Sequence, residues 1–297
     1  MLALLTTIWG TTFALVQNAL PDISPVLFGA LRFGFAYLIF TILSRSSRDG
    51  TRVLLGPRTA DEREMRKMAL LLGFSLAAGY ILQFIGLQTT TTSKSAFLTA
   101  TTVIWTPLII RFYAKEKFRI ITLAAIALSV LGIVFLTHPY PMKDIVIGDI
   151  YTTISAICFG MYIFQLDRTL PKAIKLEGSE MGGVLMISGM QLLTGLFFIC
   201  LALPFSEIHF TPSGNAIFTL AYTTILATAL STYMQSMYQK EITPTAAVLI
   251  YTLEPVVATM VAYLFLHEHF TAGEWIGAAL IVAGMILGQM KDDKWIE

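Results

Sequence analysis

Apolar and polar positions divide the chain into ten long apolar segments that are separated by shorter polar stretches. The segments are roughly 17–24 residues long, which is the length that an α-helix needs to cross a bilayer core of about 30 Å. The pattern therefore predicts an all-α polytopic membrane protein with ten transmembrane helices. The predicted spans are approximately Leu2–Leu20, Pro25–Leu43, Met68–Leu87, Ser95–Tyr113, Ile120–Leu136, Gly148–Leu166, Val184–Leu203, Ala216–Tyr238, Thr243–Leu266 and Ala272–Met290.

The composition supports this class. Hydrophobic residues make up 56% of the chain and charged residues 13%, whereas about a quarter of a soluble domain is charged. A net charge of +1 gives no reason to expect a nucleic-acid partner. Cys158 and Cys200 both fall inside apolar segments, where we expect them to pack rather than to form a disulfide or a metal site. No cofactor is expected.

Lys and Arg residues are distributed unequally between the two sets of loops. Of the 20 basic residues, 17 fall in the loops and tail of one side, only Lys94 and Lys143 fall on the other side, and Arg32 lies within a span. Because basic residues collect in cytoplasmic loops, we expect both termini to be cytoplasmic. The same count supports an even number of spans.

The two halves of the chain are related by a weak internal repeat. Each half holds five predicted spans, an odd number, so the second half must enter the membrane from the opposite face. We therefore predict two inverted five-helix repeats, residues 1–137 and 147–291, with a substrate site near the midplane at their interface. A shift of 152 residues aligns Gln83 with Gln235, Glu116 with Glu268 and Gly132 with Gly284.

Glu254 is the residue that points most directly to function. It lies inside the apolar run Thr243–Leu266 and is followed by Pro255, and it aligns with Thr102 in the first repeat. An ionised carboxylate within a bilayer costs a few kcal/mol unless it is paired or hydrated, and proline removes a helical hydrogen bond. Glu254 is interpreted as a proton acceptor, as a partner of a substrate ammonium, or as a helix-packing acid. Both proline helices are expected to be broken, at different depths.

Several stretches resemble the drug/metabolite transporter superfamily, in its EamA-like family. They are residues 8–13 (IWGTTF), 30–33 (ALRF) and 86–98 (GLQTTTTSKSAFL) in the first half, and 253–256 (LEPV) and 277–281 (GAALI) in the second. The resemblance covers essentially the whole chain. It implies ten spans in two inverted repeats and the export of amino acids or other small metabolites through a cavity lined by spans 1, 3, 4, 6, 8 and 9.

Other polar side chains within spans are candidates for the same site. Arg32 is interpreted as a partner of Glu254 or of a substrate carboxylate, or as a helix-packing residue. The repeat-related Gln83 and Gln235 are expected on opposite sides of the cavity, or in interhelical hydrogen bonds. The polar aromatic residues suit an amphipathic or aromatic solute, although each is also typical of core packing. The predicted substrate-binding residues are Trp9, Tyr80, Gln83, Trp105, Tyr162, Gln235, Tyr251 and Glu254.

These features predict a secondary transporter of the inner (plasma) membrane that exports amino acids or amphipathic, aromatic solutes by alternating access. A proton is one candidate coupling ion, and the protein is expected to be a monomer or a weak homodimer. The alternatives are an integral membrane enzyme and a channel-like facilitator. An enzyme is disfavoured because the sequence contains no HExxH motif and no paired intramembrane acids.

Overall fold

The chain is built from α-helices in a computed structural model that describes residues 1–115, 119–137, 145–257, 260 and 271–290. A π-helical turn, Ile225–Leu230, joins α10 to α11, and residues 253–257 are helical after α12. The helices are α1 (Leu2–Ala19), α2 (Pro25–Leu43), α3 (Arg45–Leu55), α4 (Ala60–Leu87), α5 (Thr92–Ala100), α6 (Thr102–Tyr113), α7 (Ile120–Thr137), α8 (Ile147–Glu177), α9 (Glu180–Ala202), α10 (Gly214–Thr224), α11 (Ser231–Gln239), α12 (Pro244–Tyr251) and α13 (Ala272–Gln289).

The helices are those of a multi-pass membrane protein. Within the described residues, seven helices are long and apolar enough to cross a bilayer, and two shorter apolar helices, Ile120–Leu136 and Pro244–Val257, accompany them. The count of ten spans stays a prediction, since part of the ninth predicted span lies outside the described residues. The aligned Glu116 and Glu268, and Lys143, also lie outside them.

Glycines let α4 and α8 approach each other closely near the centre of the protein. A Cβ atom at Gly79 would lie 2.6 Å from the ring of Phe159, so this ring packs directly on the α4 backbone. A Cβ atom at Gly86 would lie 2.9 Å from the carbonyl oxygen of Gly148. Small residues at helix interfaces are a general device of membrane proteins. Here they position the side of α8 that carries Phe159 and Tyr162.

A second close contact joins α7 to α13. A Cβ atom at Gly132 would lie 2.7 Å from the carbonyl oxygen of Gly277, and one at Gly284 would lie 2.8 Å from that of Ala125. Both distances are shorter than a side chain tolerates, so the two helices meet backbone to backbone. The glycines of the last predicted span therefore serve packing within the chain.

Ion pairs lie near both ends of α8. Close to its first turn, the Nζ of Lys94 on α5 lies 2.7 Å from Asp149, which also accepts a 2.5 Å hydrogen bond from Thr90. Just after its last turn, Glu180 lies 2.9 Å from Lys240. The hydrogen bonds that Lys240 donates to Glu241 and Glu180 raise the pKa of its ammonium group and so favour the charged form.

Candidate functional site: a polar aromatic cavity

A cavity lies where α1, α4, α8 and α11 surround two interrupted helices, α5/α6 and α12 with residues 253–257. Its volume is ≈ 90 Å³, several times the roughly 10–15 Å³ that one water molecule requires by the same measure. The cavity is therefore large enough for a small solute. Its lining consists of Trp9, Thr12, Leu76, Tyr80, Gln83, Thr99, Ala100, Thr102, Phe159, Tyr162, Ile163, Gln235, Val248, Tyr251, Thr252 and Glu254.

Most of the predicted site residues meet in this cavity. They come from the first, third, sixth, eighth and ninth predicted spans, and the fourth span contributes Thr99, Ala100 and Thr102. Their role in binding a substrate stays a prediction. The predicted residues that line the cavity are Trp9, Tyr80, Gln83, Tyr162, Gln235, Tyr251 and Glu254.

Trp105 does not line this cavity. It packs with Ile109, Ile110 and Phe164 in a separate apolar cluster formed by α6 and α8. The reason is that the fourth span does not run as one continuous helix. The chain turns at Thr101, before α6 begins, so the position of Trp105 cannot be extrapolated from the residues of α5.

Glu254 lies in the first turn after the interruption of the ninth predicted span. Its side chain is half-buried and borders the cavity. Among the described residues, no hydrogen bond or salt bridge joins its carboxylate to another side chain, although Arg32 is also described. A carboxylate that borders a cavity without a protein partner can accept hydrogen bonds from a solute or bind a proton.

The two interrupted helices begin with the same cap. The side chain of Thr91 accepts a 3.2 Å hydrogen bond from the backbone N–H of Lys94 at the start of α5. The side chain of Thr243 accepts a bond of the same length from Ala246 at the start of α12. Such caps satisfy N–H groups that have no intrahelical partner, and Thr91 and Thr243 are 152 residues apart.

The two helices also end in the same way. Thr101 has φ −61° and ψ −9°, and Thr252 has φ −63° and ψ −7°. The hydroxyl of Thr101 donates to the carbonyl oxygen of Leu98 at 2.5 Å, and that of Thr252 donates to Leu249 at 2.6 Å. Each break thus occurs at a threonine that returns a hydrogen bond to the preceding turn. The first break lies six residues before Pro107, and Pro107 itself lies inside α6. The second break lies three residues before Pro255.

Amides and phenols form a buried network on one side of the cavity. The hydroxyl of Tyr162 donates to Oε1 of Gln235 at 3.2 Å, and Nε2 of Gln235 donates to Oε1 of Gln239 at 3.1 Å. The hydroxyl of Tyr251 donates to the same Gln239 oxygen at 3.2 Å. Nε2 of Gln239 then donates to the carbonyl oxygen of Ile163 at 2.9 Å. This network holds the two tyrosine rings in place between α8 and α12.

The sequence-based prediction missed Gln239 and Phe159. Gln239 is a buried amide one helical turn after Gln235, and this spacing was the available signal. Phe159 lies 150 residues after Trp9, so the repeat itself pointed to it. In the cavity Phe159 packs edge to face against Tyr80, with ring centroids 5.2 Å apart, and Trp9 packs in the same manner against Tyr251 at 5.3 Å.

Arg32 packs beside the cavity. It is only 1% exposed and does not border the cavity. Its Nε donates to the hydroxyl of Thr228 at 2.5 Å, and its Nη2 donates to the carbonyl oxygen of Ala227 at 3.1 Å, within the π-helical turn. The guanidinium carbon lies 4.5 Å from the centre of the Tyr80 ring, within the range of a cation–π contact. Of the three interpretations of Arg32, these contacts fit helix packing, and no salt bridge to Glu254 occurs among the described residues.

In the described parts of the chain, no group of three or more His, Cys, Asp or Glu side chains could hold a metal ion. The chemistry that the cavity offers comes from a carboxylate, amides, hydroxyls and aromatic rings.

The comparisons with known proteins agree with this geometry. The profile of the EamA-like transporter family matches residues 1–138 and 146–288. An uncharacterised transporter of Archaeoglobus fulgidus is 26% identical over 98% of this chain and 85% of its own length. The uncharacterised transporter YoaV of Bacillus subtilis is 23% identical over 95% of this chain and 93% of its own length. A solved structure described only as the crystal structure of a protein superposes with a TM-score of 0.71, at 16% identity over 97% of this chain and 95% of that one, which shows a shared fold.

The relatives are named as transporters rather than as enzymes, and the family profile covers nearly the whole chain. The apolar helices, the cavity between them and this match lead to one conclusion: the chain belongs to the EamA-like transporter family.

Proposed function

We propose that this protein is a secondary transporter that exports small amphipathic metabolites, such as amino acids or aromatic solutes, by alternating access around the central cavity. The observation that carries the proposal is the arrangement of the lining in repeat-related pairs. In the later spans of each half, residues 152 positions apart both border the cavity in four cases, and in the first span of each half, residues 150 apart do so in two. The pairs are Gln83 with Gln235, Thr99 with Tyr251, Ala100 with Thr252 and Thr102 with Glu254, then Trp9 with Phe159 and Thr12 with Tyr162.

This pairing supports two inverted repeats with a shared site between them. Two halves of similar design can exchange their packing around a fixed site, and this exchange is the physical basis of alternating access. The family profile matches once in each half, which supports the same division. Interrupted helices at the site are a further feature of such transporters, and here they occur at Thr101 and Thr252.

Transport can be tested with purified protein in liposomes. Labelled amino acids, aromatic amines and nucleosides are offered with and without a proton gradient, and uptake is measured in net flux and in counterflow against unlabelled solute. A carrier gives counterflow, because one site is loaded alternately from each side. Net flux without counterflow would contradict alternating access and favour the channel-like facilitator.

Glu254→Gln tests the proposed role of the carboxylate in the same assay. Glu207→Gln makes the same chemical change at an exposed residue in the loop between α9 and α10, and serves as the matched control. We expect only the first variant to lose transport. If a proton is the coupling ion, Glu254→Gln also abolishes the pH dependence of the remaining flux. An unchanged pH profile would contradict a proton-carrying role for Glu254.

The proposed orientation places both termini on the cytoplasmic side of the inner membrane. It can be checked with single cysteines at positions 58 and 172 in a Cys158→Ser, Cys200→Ser background. In intact cells, a membrane-impermeant maleimide should not label either position, whereas it should label both after the membrane is permeabilised. Labelling of intact cells would reverse the orientation.

A further inference from the structure

The described side chains that border the cavity include an acidic group but no basic one. Among its described lining residues, Glu254 is the acidic one, and there is no Lys, Arg or His. The carboxylate has no described salt bridge or hydrogen bond. A solute that places a positive group here gains a charge-assisted hydrogen bond, which is roughly twice as strong as a neutral one. A solute that places a negative group here meets repulsion from the same carboxylate.

The nearest buried basic residue is not free to bind an anion. The guanidinium of Arg32 donates hydrogen bonds to the hydroxyl of Thr228 and to the carbonyl oxygen of Ala227, and it packs on the face of the Tyr80 ring. It is 1% exposed. An anionic solute would have to break these contacts to reach it, and it would leave backbone and hydroxyl acceptors in the π-helical turn without a donor.

The helix ends at the cavity do not replace such a cation. At Thr101 the C-terminus of α5 meets the N-terminus of α6, and at Thr252 the C-terminus of α12 meets the following helical turn. The N-terminal end of a helix is electropositive and the C-terminal end is electronegative. Because an end of each sign meets at each break, their fields oppose each other.

The remaining lining groups suit an ammonium group with an attached ring. Five aromatic side chains border the cavity, and aromatic faces attract cations. Nε2 of Gln83 donates to Thr99 at 3.0 Å, which leaves its carbonyl oxygen as an acceptor without a described partner. An ammonium group has three donors, so it can use neutral acceptors of this kind in addition to the Glu254 carboxylate. The five aromatic residues are Trp9, Tyr80, Phe159, Tyr162 and Tyr251.

We infer that the cavity selects small solutes that carry a protonated amine at one end and an aromatic or apolar group at the other, and that a carboxylate on the solute contributes nothing to binding. This inference rests on the proposed function, because it assumes that the cavity is the transport site. It narrows the substrate from amphipathic metabolites in general to organic amines.

Four compounds with the same ring and two-carbon chain test the inference: phenethylamine, 2-phenylethanol, 3-phenylpropionate and phenylalanine. Binding to the purified protein in nanodiscs is measured by calorimetry. We expect phenethylamine to bind about 10–100-fold more tightly than 2-phenylethanol, as the strength of a charged hydrogen bond implies, and 3-phenylpropionate to bind more weakly than both. Phenylalanine should bind no more tightly than phenethylamine. The inference would be overturned if 3-phenylpropionate bound as tightly as phenethylamine or more tightly.

Two variants of the acid make the test specific. Glu254→Gln should remove the preference for the amine while binding of 2-phenylethanol stays within about twofold, which also shows that the cavity is folded. Glu254→Asp keeps the charge and should keep the preference. Glu207→Gln should match the unaltered protein. A uniform loss of affinity for all four compounds in Glu254→Gln would contradict a charge-selective role.

Counterflow of the same compounds in liposomes separates this inference from the proposed function. Selective amine binding without counterflow of any compound would support the site and contradict transport. Counterflow of 3-phenylpropionate without counterflow of phenethylamine would support transport and contradict the amine-selective site.

Discussion

The interrupted helices of the two halves, α5/α6 and α12 with residues 253–257, share a backbone plan but differ in chemistry. Both start with a threonine cap and both break at a threonine with nearly the same dihedral angles. Immediately after the break, however, the first half carries Thr102 and the second carries Glu254. The hydroxyl of Thr102 donates to the carbonyl oxygens of Thr99 at 2.6 Å and of Ala156 at 3.2 Å, whereas Glu254 has no described partner.

This comparison shows that the two interrupted helices have the same backbone geometry, whereas only the second places a carboxylate at the cavity. Thr102 uses its hydrogen-bonding capacity inside the protein, where it ties the break to α8. The carboxylate of Glu254 has no described hydrogen bond, so it can accept one from a molecule in the cavity. The same asymmetry recurs at Ala100 and Thr252, and at Thr99 and Tyr251, where the second half again has the more polar or the larger side chain.

The largest expected effect comes from replacing the residue after each break, Glu254 or Thr102, with a side chain of similar shape that lacks its carboxylate or hydroxyl group. Glu254→Gln should reduce counterflow of phenethylamine about 10–100-fold, because it removes a charge-assisted hydrogen bond to the solute. Thr102→Val should change it by no more than about threefold and should instead lower the thermal midpoint of unfolding, since it removes two internal hydrogen bonds. A larger transport defect in Thr102→Val would show that the acid is not the functional half of the pair.

A smaller effect is expected from the two prolines. Proline at position 255 prevents an N–H bond to the carbonyl oxygen of Tyr251, four residues earlier, next to the break at Thr252. Pro255→Ala permits this bond, so we expect a more continuous helix, a displaced Glu254 and about tenfold slower counterflow without a loss of thermal stability.

Pro107→Ala is the matched control, because Pro107 lies inside α6 and away from the break at Thr101. Its counterflow rate should stay within about twofold of the unaltered protein. Equal slowing in both variants would mean that proline does not determine the position of the second break.

The smallest effect is expected from replacing Gln83 or Gln235, whose losses of unfolding free energy should differ. Gln235→Leu leaves the Tyr162 hydroxyl without its acceptor and removes one of the two donors to Oε1 of Gln239, which should lower the free energy of unfolding by about 1–3 kcal/mol. Gln83→Leu removes one described hydrogen bond, to Thr99, and should cost about 0.5–1.5 kcal/mol. Equilibrium unfolding in mixed micelles, followed by circular dichroism, measures both. An equal loss in the two variants would show that the network around Gln239 adds nothing.

Much of the helical framework was predictable because hydrophobic length is a strong signal in membrane proteins. The predicted span Pro25–Leu43 has the bounds of α2, and Ala272–Met290 ends one residue after α13. The prediction was less accurate where helices leave the bilayer or change direction. Charged residues extend α4 back to Ala60, eight residues before the predicted start at Met68, because a capping box at Thr59 and Glu62 begins the helix in the polar region.

The candidate site was predictable as far as it depends on residue type and repeat position. Glu254, Gln83 and Gln235 stand out as polar residues in apolar spans, and the structure brings them to one cavity. The location of Trp105 outside the cavity lining was not predictable, because the fourth span breaks at Thr101, without an adjacent proline, and such a break has no clear sequence signal. The hydrogen bonds of Arg32 to the π-helical turn could not be predicted either, since they join residues 195 and 196 positions apart along the chain.

The backbone contact between α7 and α13 has a consequence for spectroscopic work on this protein. With Gly132 against Gly277 and Gly284 against Ala125, the two backbones lie in direct contact at two places along the helices, and such close packing resists relative displacement. We expect the pair to behave as one rigid body throughout the transport cycle. Spin labels on the exposed faces of these two helices, at Leu131 and Ile286 for instance, should therefore keep a constant separation and provide the fixed frame against which displacements of α1 and α12 are measured.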